Sequence, residues 1–378
     1  LGFDPLRDEH KIFALSLIGQ PRYQKEMMLV HKSVSPEHYE IDTLFGRFSN
    51  SEALYSQAFI DLIGFPIRAH QDPIEQRHRD LAASAIALYE GVLLGYIANL
   101  AKASKHQRSH LKLSSHAGEL VLARHRNLPF QHIEYSSPAH EWQAALGAAV
   151  LAAKKLDKGN PVSHSKSLRL SPSHSPSSVA RTIAASGMNL IRFGQDWEGL
   201  AMALAERLST HKSVALFQGP DQLSSSSHGA RTIVANPLHA DIFVNLKAQG
   251  LKISEDFGTT VYLLGETAKD WGIMGDQFIF QANFPQAVLN SGLKNAAYLA
   301  VKIISALGSP FLHAVLASFY QKTSCSFLLA TPFAVGSEPT VAAIEDAIRS
   351  MVKSQLDTLA FEGYLLDKAS IPLSLRKP

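Results

Sequence analysis

The chain has 378 residues, of which 46% are hydrophobic and 18% charged, with a formal net charge of +3. That balance fits one or two globular domains around a substantial core and excludes a disordered chain. A single cysteine, Cys325, excludes an internal disulfide framework and any multi-cysteine zinc or iron–sulfur site.

No basic stretch followed by an apolar run opens the sequence at Leu1, so a retained secretory signal is not expected. The start reads as that of a mature organellar chain, mitochondrial or plastid, with the cytoplasm as the other compartment and secretion excluded.

In residues 8–30, Ile12, Leu15 and Leu17 precede an interruption at Gly19-Gln20-Pro21, which predicts a broken first helix. Ser35-Pro36-Glu37 has a serine followed by proline, a helix-start signal. Phe59, Ile60, Leu62 and Ile63 form a short apolar face that Gly64 and Pro66 end. The longest helical pattern runs over residues 72–105. Within it, residues 81–101 carry one charge, Glu90, and approach the roughly 20 residues that span a bilayer. Ser84, Gly91, Gly95 and Asn99 dilute that stretch, so it reads as a buried core helix and not as part of an integral membrane protein.

Residues 102–126 form a basic strip. Lys102, Lys105, Arg108, Lys112, Arg124 and Arg126 face a lone acid, Glu119, which suits protein subunits, anionic lipid or RNA as partners. Ser137-Pro138 starts a helix with Trp142, Leu146 and Val150 at spacing four, and Lys154 and Lys155 complement its C-terminal dipole. Residues 157–178 are rich in serine, proline and histidine. Pro161, Pro172 and Pro176 block a regular helix there, so the segment reads as a linker.

Helix and strand signals alternate beyond the linker. Strands are expected at 188–193, 213–217, 231–235, 259–264, 277–281 and 324–329. Helices are expected at 177–186, 196–208, 237–248, 295–307, 311–320 and from 338 through Val341, Ile344, Ile348 and Met351. This predicts a mixed α/β, helix-dominated fold: a helix-rich region (1–156), a linker (157–178), and an α/β region (179–378) with a small, mostly parallel sheet.

The chemistry is sparse. The loop at residues 219–229 follows a predicted strand, where ligands of open α/β sheets sit. Its Gly219, Ser224, Ser225, Ser226, Ser227 and His228 could hold a small anion through hydroxyls and amides, with Asp221 as a further polar candidate. The P-loop pattern is missing, so triphosphate hydrolysis is not indicated. His106 and His110, among 17 histidines, are spaced to share a helix face, but the surrounding positive charge disfavours a metal. No metal or cofactor is expected. No G-x-S-x-G elbow is present, and Cys325 lies in an apolar strand pattern.

Residues 159–167, GNPVSHSKS, resemble the substrate-binding signature of shikimate dehydrogenase. A helix pattern precedes them and no G-x-G-x-x-G follows, so no site is carried over. His38 and Asp42, with Asp256-Phe257-Gly258, resemble the H-x-x-x-D and D-F-G-W-G motifs of plant-type acyltransferases, but Thr259-Thr260 stands where that family has Trp-Gly. Two readings follow. The first is a non-catalytic accessory or scaffold subunit of an organellar multi-subunit assembly. The alternative is an α/β enzyme, or a degenerate one, binding a small phosphorylated or carboxylated metabolite at residues 219–229.

Overall fold

A computed structural model gives the fold and describes residues 1–3, 9–35, 38–45, 55–69, 72–104, 110–113, 118, 121–125, 128–135, 141–156, 174, 179, 181–182, 184–185, 187–219, 229–251, 253, 258–273, 277–336 and 338–372. Its contacts divide the chain into two compact units, Leu1–Gln143 and Ala144–Pro378.

The first unit contains α1 (Glu9–Leu17), α2 (Gln24–Val30), a hairpin of β1 (His31–Ser35) and β2 (His38–Ile41), α3 (Gln57–Ile63), α4 (Gln76–Ala103), β3 (His110–Leu113) and β4 (His132–Tyr135). α1 lies along α4 with Phe13, Ala14 and Leu15 buried. The link after α1 is fixed by polar groups on α4. Asp80 accepts from the Gln20 N–H at 2.9 Å and from Gln76 Nε2 at 2.7 Å, while Ser84 Oγ accepts from the Tyr23 N–H at 2.9 Å. Met27, Ile63 and Leu81 form one small core; Ile97, Ala101, Leu111, Leu122 and Phe130 form another under the parallel pair β3–β4. α4 is the one described helix long and apolar enough to cross a membrane. Leu81, Ala82, Ala83 and Ile97 are buried inside the protein, while Tyr96 and Leu100 are exposed.

α5 (Glu141–Leu156) spans the division between the units. The second unit then places nine strands in one sheet: β5 (Ile191–Arg192), β6 (Val214–Phe217), β7 (Arg231–Ala235), β8 (Thr259–Leu264), β9 (Gln277–Phe280), β10 (Tyr298–Ile304), β11 (Phe327–Pro332), β12 (Thr358–Phe361) and β13 (Tyr364–Asp367). Their order is β5-β13-β12-β6-β7-β11-β8-β10-β9. Helices α6 (Trp197–Ser209), α7 (Ile242–Ala248), α8 (Gln286–Leu289), α9 (Pro310–Thr323) and α10 (Ile344–Lys353) complete the unit. Leu200, Leu204 and Leu208 repeat every fourth residue on the buried face of α6, which packs against α9. Each such leucine contributes roughly 1.5–3 kcal/mol through burial. The central strands β6 and β12 are buried at every position, as expected of strands covered on both faces.

The sheet differs from the small, mostly parallel one that the sequence suggested. Only β6–β12 and β8–β10 are parallel; the other six neighbouring pairs are antiparallel. Among the described residues, the one wholly parallel sheet is the two-stranded β3–β4. Three strands account for most of the difference. Residues 295–307, expected as a helix, contain β10, because a continuous apolar run fits a doubly covered strand as well as a helix. β12 and β13 form a hairpin beyond the last expected helix. The expected helix start at Ser35 is instead the end of β1, and His110, expected on a helix, opens β3. Of residues 157–178, only His174 lies among the described residues.

Candidate anion-binding site

Three neighbouring strands bring their ends together at one point of the sheet. In the parallel pair β6–β12, Phe217 lies beside Phe361 at the carboxyl ends of both strands. On the other side of β6, the same Phe217 pairs with Arg231, the first residue of antiparallel β7. The loop at residues 219–229 therefore leaves and returns at the carboxyl end of a parallel strand pair, the position at which α/β sheets bind ligands.

Arg231 is fully buried. Its Nη1 donates to the carbonyls of Gly219 and Ala230, both at 2.9 Å, and its guanidinium carbon lies 3.4 Å from the centroid of the Phe217 ring. Ring and carbonyls fix the plane of the guanidinium and place its positive charge beneath the first residue of the loop. His174 approaches the same ring, with centroids 5.3 Å apart. Near this cluster, His174 Nε2 and Gln218 Nε2 are buried polar atoms with no hydrogen-bond partner among the described residues. Buried polar atoms of this kind seek a hydrogen-bond partner.

Glu362 meets the opposite side of Gly219. Its Oε1 accepts from the Gly219 N–H at 2.8 Å. Glu362 and Gly363 form the two-residue turn between β12 and β13, with φ of 43° and 84°. Gly363 is required there, since a Cβ would lie 2.3 Å from the Gly194 carbonyl oxygen. At the loop's other end, the Gly229 N–H donates to the Tyr262 hydroxyl at 3.2 Å, which also bonds the Thr232 hydroxyl at 3.2 Å. The α-carbon of Gly229 faces Leu312 in the first turn of α9. Beside it, His313 Nε2 bonds Glu266 Oε1 at 2.7 Å. Burial would raise the Glu266 carboxyl, but a backbone hydrogen bond and His313 hold it below its ordinary value.

Of the residues expected in the loop, Gly219 and Gly229 are described and anchored at both ends; Asp221, Ser224, Ser225, Ser226, Ser227 and His228 lie outside the described residues. Arg231, Phe217, Tyr262 and Glu362 were not expected from the sequence. An arginine heading the apolar run RTIVA was the available signal, because a charge at the start of a buried strand needs a reason. In the basic strip, Lys102, Lys112 and Arg124 are exposed, and Lys105, Arg108 and Arg126 lie outside the described residues. His110 stacks on His132, its partner across β3–β4, with centroids 5.0 Å apart. No metal-binding group of three or more ligands occurs among the described residues. Cys325 is buried, and burial pushes its thiol up to about 11.

The strands around this site also show a similarity to known proteins. Residues 205–368 match the family described as Carbamoyltransferase C-terminus. That stretch contains Phe217, Gly219, Gly229, Arg231, Tyr262 and Glu362. The chain is also similar to an uncharacterized protein of Synechocystis sp., at 22% identity over 98% of this chain and 66% of the relative. It is 22% identical to the nodulation protein NolNO of Sinorhizobium fredii, over 96% of this chain and 53% of the relative. It is 22% identical to the nodulation protein NolO of Bradyrhizobium diazoefficiens, over 98% and 67% respectively. The chain thus spans between about half and two thirds of the length of these curated relatives. These findings overturn the reading as a non-catalytic scaffold subunit of an organellar assembly: the similarity is to a carbamoyltransferase family, and the alternative of an enzyme-like α/β protein fits better.

Proposed function

We propose that the chain is carbamoyltransferase-like and that its second unit binds a small anionic carbamoyl donor at the mouth of the loop formed by residues 219–229. The observation that carries this reading is the fully buried Arg231, oriented by the Gly219 and Ala230 carbonyls under the start of that loop. The match of residues 205–368 to a carbamoyltransferase family supports the choice of donor.

The chemistry calls for such a cation. Transfer of a carbamoyl group breaks the bond between the carbonyl carbon and a leaving group that departs as an anion. Negative charge also builds on the carbonyl oxygen as an acceptor attacks. A fixed guanidinium near either oxygen stabilises charge that grows along the reaction, and it does so best where water is excluded. Arginine suits the task because its planar fork matches phosphate and carboxylate oxygens. Buried polar atoms on Gln218 and His174 complete the seat.

The test is binding of carbamoyl phosphate as the probe donor, followed by calorimetry on the full chain and on Arg231→Lys and Arg231→Met variants. Arg231→Lys keeps the charge but loses the fork, and affinity is expected to fall by at least tenfold; Arg231→Met should abolish binding. Equal affinity in all three folded proteins would sink the proposal.

A further inference from the structure

Glu362 occupies a backbone conformation that its residue type disfavours. Two-residue hairpin turns with positive φ at both positions are built most readily from asparagine or glycine. Glutamate at φ 43° is strained, and turn chemistry alone does not explain its presence. The conformation does have a consequence: it brings the Glu362 carboxylate to 2.8 Å from the Gly219 nitrogen. The carbonyl of the same glycine takes the Arg231 guanidinium at 2.9 Å. One residue at the start of the loop is therefore held between an acid on its N–H and a base on its C=O.

We infer that Glu362 is an internal competitor, whose carboxylate holds the first amide of the loop until an incoming anion takes its place. This rests on the anion site proposed above and concerns how that site is filled. A ligand drawn to Arg231 meets a like charge beside Gly219, which lowers its affinity unless that carboxylate moves. Glu362 is partly exposed, so it can turn to water without burying a charge. Release also frees the Gly219 N–H, a donor well placed for an anion at the carboxyl end of β6. The device would tune the site toward ligands that carry enough charge to displace a carboxylate, and against weaker anions.

The experiment titrates inorganic phosphate into the full chain, the Arg231→Lys variant, and two variants of the turn, Glu362→Gln and Glu362→Gly. Glycine is compatible with φ 43°, so the second variant is expected to fold at least as well as the parent. Calorimetry gives the affinity, and the amide resonance of Gly219 reports its hydrogen bond. Phosphate is expected to bind about tenfold more tightly to Glu362→Gly and several-fold more tightly to Glu362→Gln. In the parent chain, phosphate should shift the Gly219 amide toward its position in Glu362→Gly. Weaker or unchanged binding in both turn variants, with binding still weakened in Arg231→Lys, would overturn the competitor and leave the anion site standing. Phosphate binding that is insensitive to Arg231, or absent from every chain, would overturn the site and the inference with it.

Discussion

Replacing Arg207 by leucine removes the strongest polar tie between α6 and the hairpin that presents Glu362. Arg207 Nε and Nη2 donate to the two oxygens of Asp367 at 2.8 and 2.6 Å, and Nη1 donates to the Ala203 carbonyl at 2.9 Å. Thr358 Oγ1 adds a fourth bond, to Asp367 Oδ1 at 2.9 Å. The arginine and aspartate side chains are 18% and 24% exposed, so the pair lies between two limits. An exposed pair is worth about 0–1 kcal/mol, and breaking a buried one costs about 3–5 kcal/mol. We expect a cost of about 2 kcal/mol for this bidentate, half-buried case. With a urea slope of roughly 2 kcal/mol/M, the midpoint falls by about 1 M.

Tryptophan fluorescence can follow this transition, since Trp197 begins α6 and Trp271 packs edge-on against Phe327 of β11 at 5.0 Å. Arg207→Leu, Asp367→Asn and the double variant form a cycle, and their coupling should be about 1–2 kcal/mol. A coupling no larger than about 0.3 kcal/mol, the scatter of independent sites, would refute the reasoning. The sign of the pH dependence is fixed as well. Burial would raise the Asp367 carboxyl, but hydrogen bonds from Arg207 and Thr358 and the charge of Arg207 outweigh it and hold the pKa below its ordinary value. A depressed carboxylate stabilises the fold above its unfolded pKa of about 3.9, and that contribution disappears as pH falls through the lower folded value. The midpoint should drop below about pH 4 in the parent chain, and less steeply in Asp367→Asn.

Two further substitutions test the packing. Asp80→Ala strips the acceptor from the Gln20 N–H and from Gln76, at an expected cost of about 1–3 kcal/mol. Faster hydrogen exchange at Gln20 would confirm it; unchanged protection there would argue against Asp80 as the anchor. Gly258→Ala puts a methyl group within 1.9 Å of a Tyr298 ring atom, so that ring must move. A loss of about 1–3 kcal/mol is expected from overpacking, and an unchanged melting temperature would show that the ring shifts freely.

Much of the local structure could be read directly from the chain. The break at Gly19-Gln20-Pro21 separates α1 from α2, and Gly64 caps α3 in the left-handed region at φ 81°. The long apolar pattern produced α4, and the apolar runs 214–217, 231–235 and 259–264 are strands. Residues 298–304 form a strand where the sequence suggests a helix, because an unbroken apolar run has no period to separate a buried strand from a helix. The hairpin signal in TLAFEGYLLD is weaker than Asn-Gly, since Glu362 takes a conformation that glutamate rarely adopts. For the candidate site, the sequence pointed to the loop at residues 219–229 through its glycines and its position after a predicted strand. Arg231 is not legible as part of it because it lies beyond the far end of that loop, 12 residues from Gly219, and only strand pairing brings the two together.

The sequence by itself determined α4 and the core strands β6, β7 and β8 of the second unit, because propensity, capping and apolar periodicity act over a few residues. It also ruled out disulfide and multi-cysteine chemistry through one cysteine. Tertiary structure alone decided the direction of the strands and the composition of the site. Parallel and antiparallel pairings use the same residue types, so a mixed sheet leaves little trace in composition. The site depends on that choice: β6 runs parallel to β12 and antiparallel to β7, and this arrangement sets Phe217, Arg231 and Glu362 around Gly219.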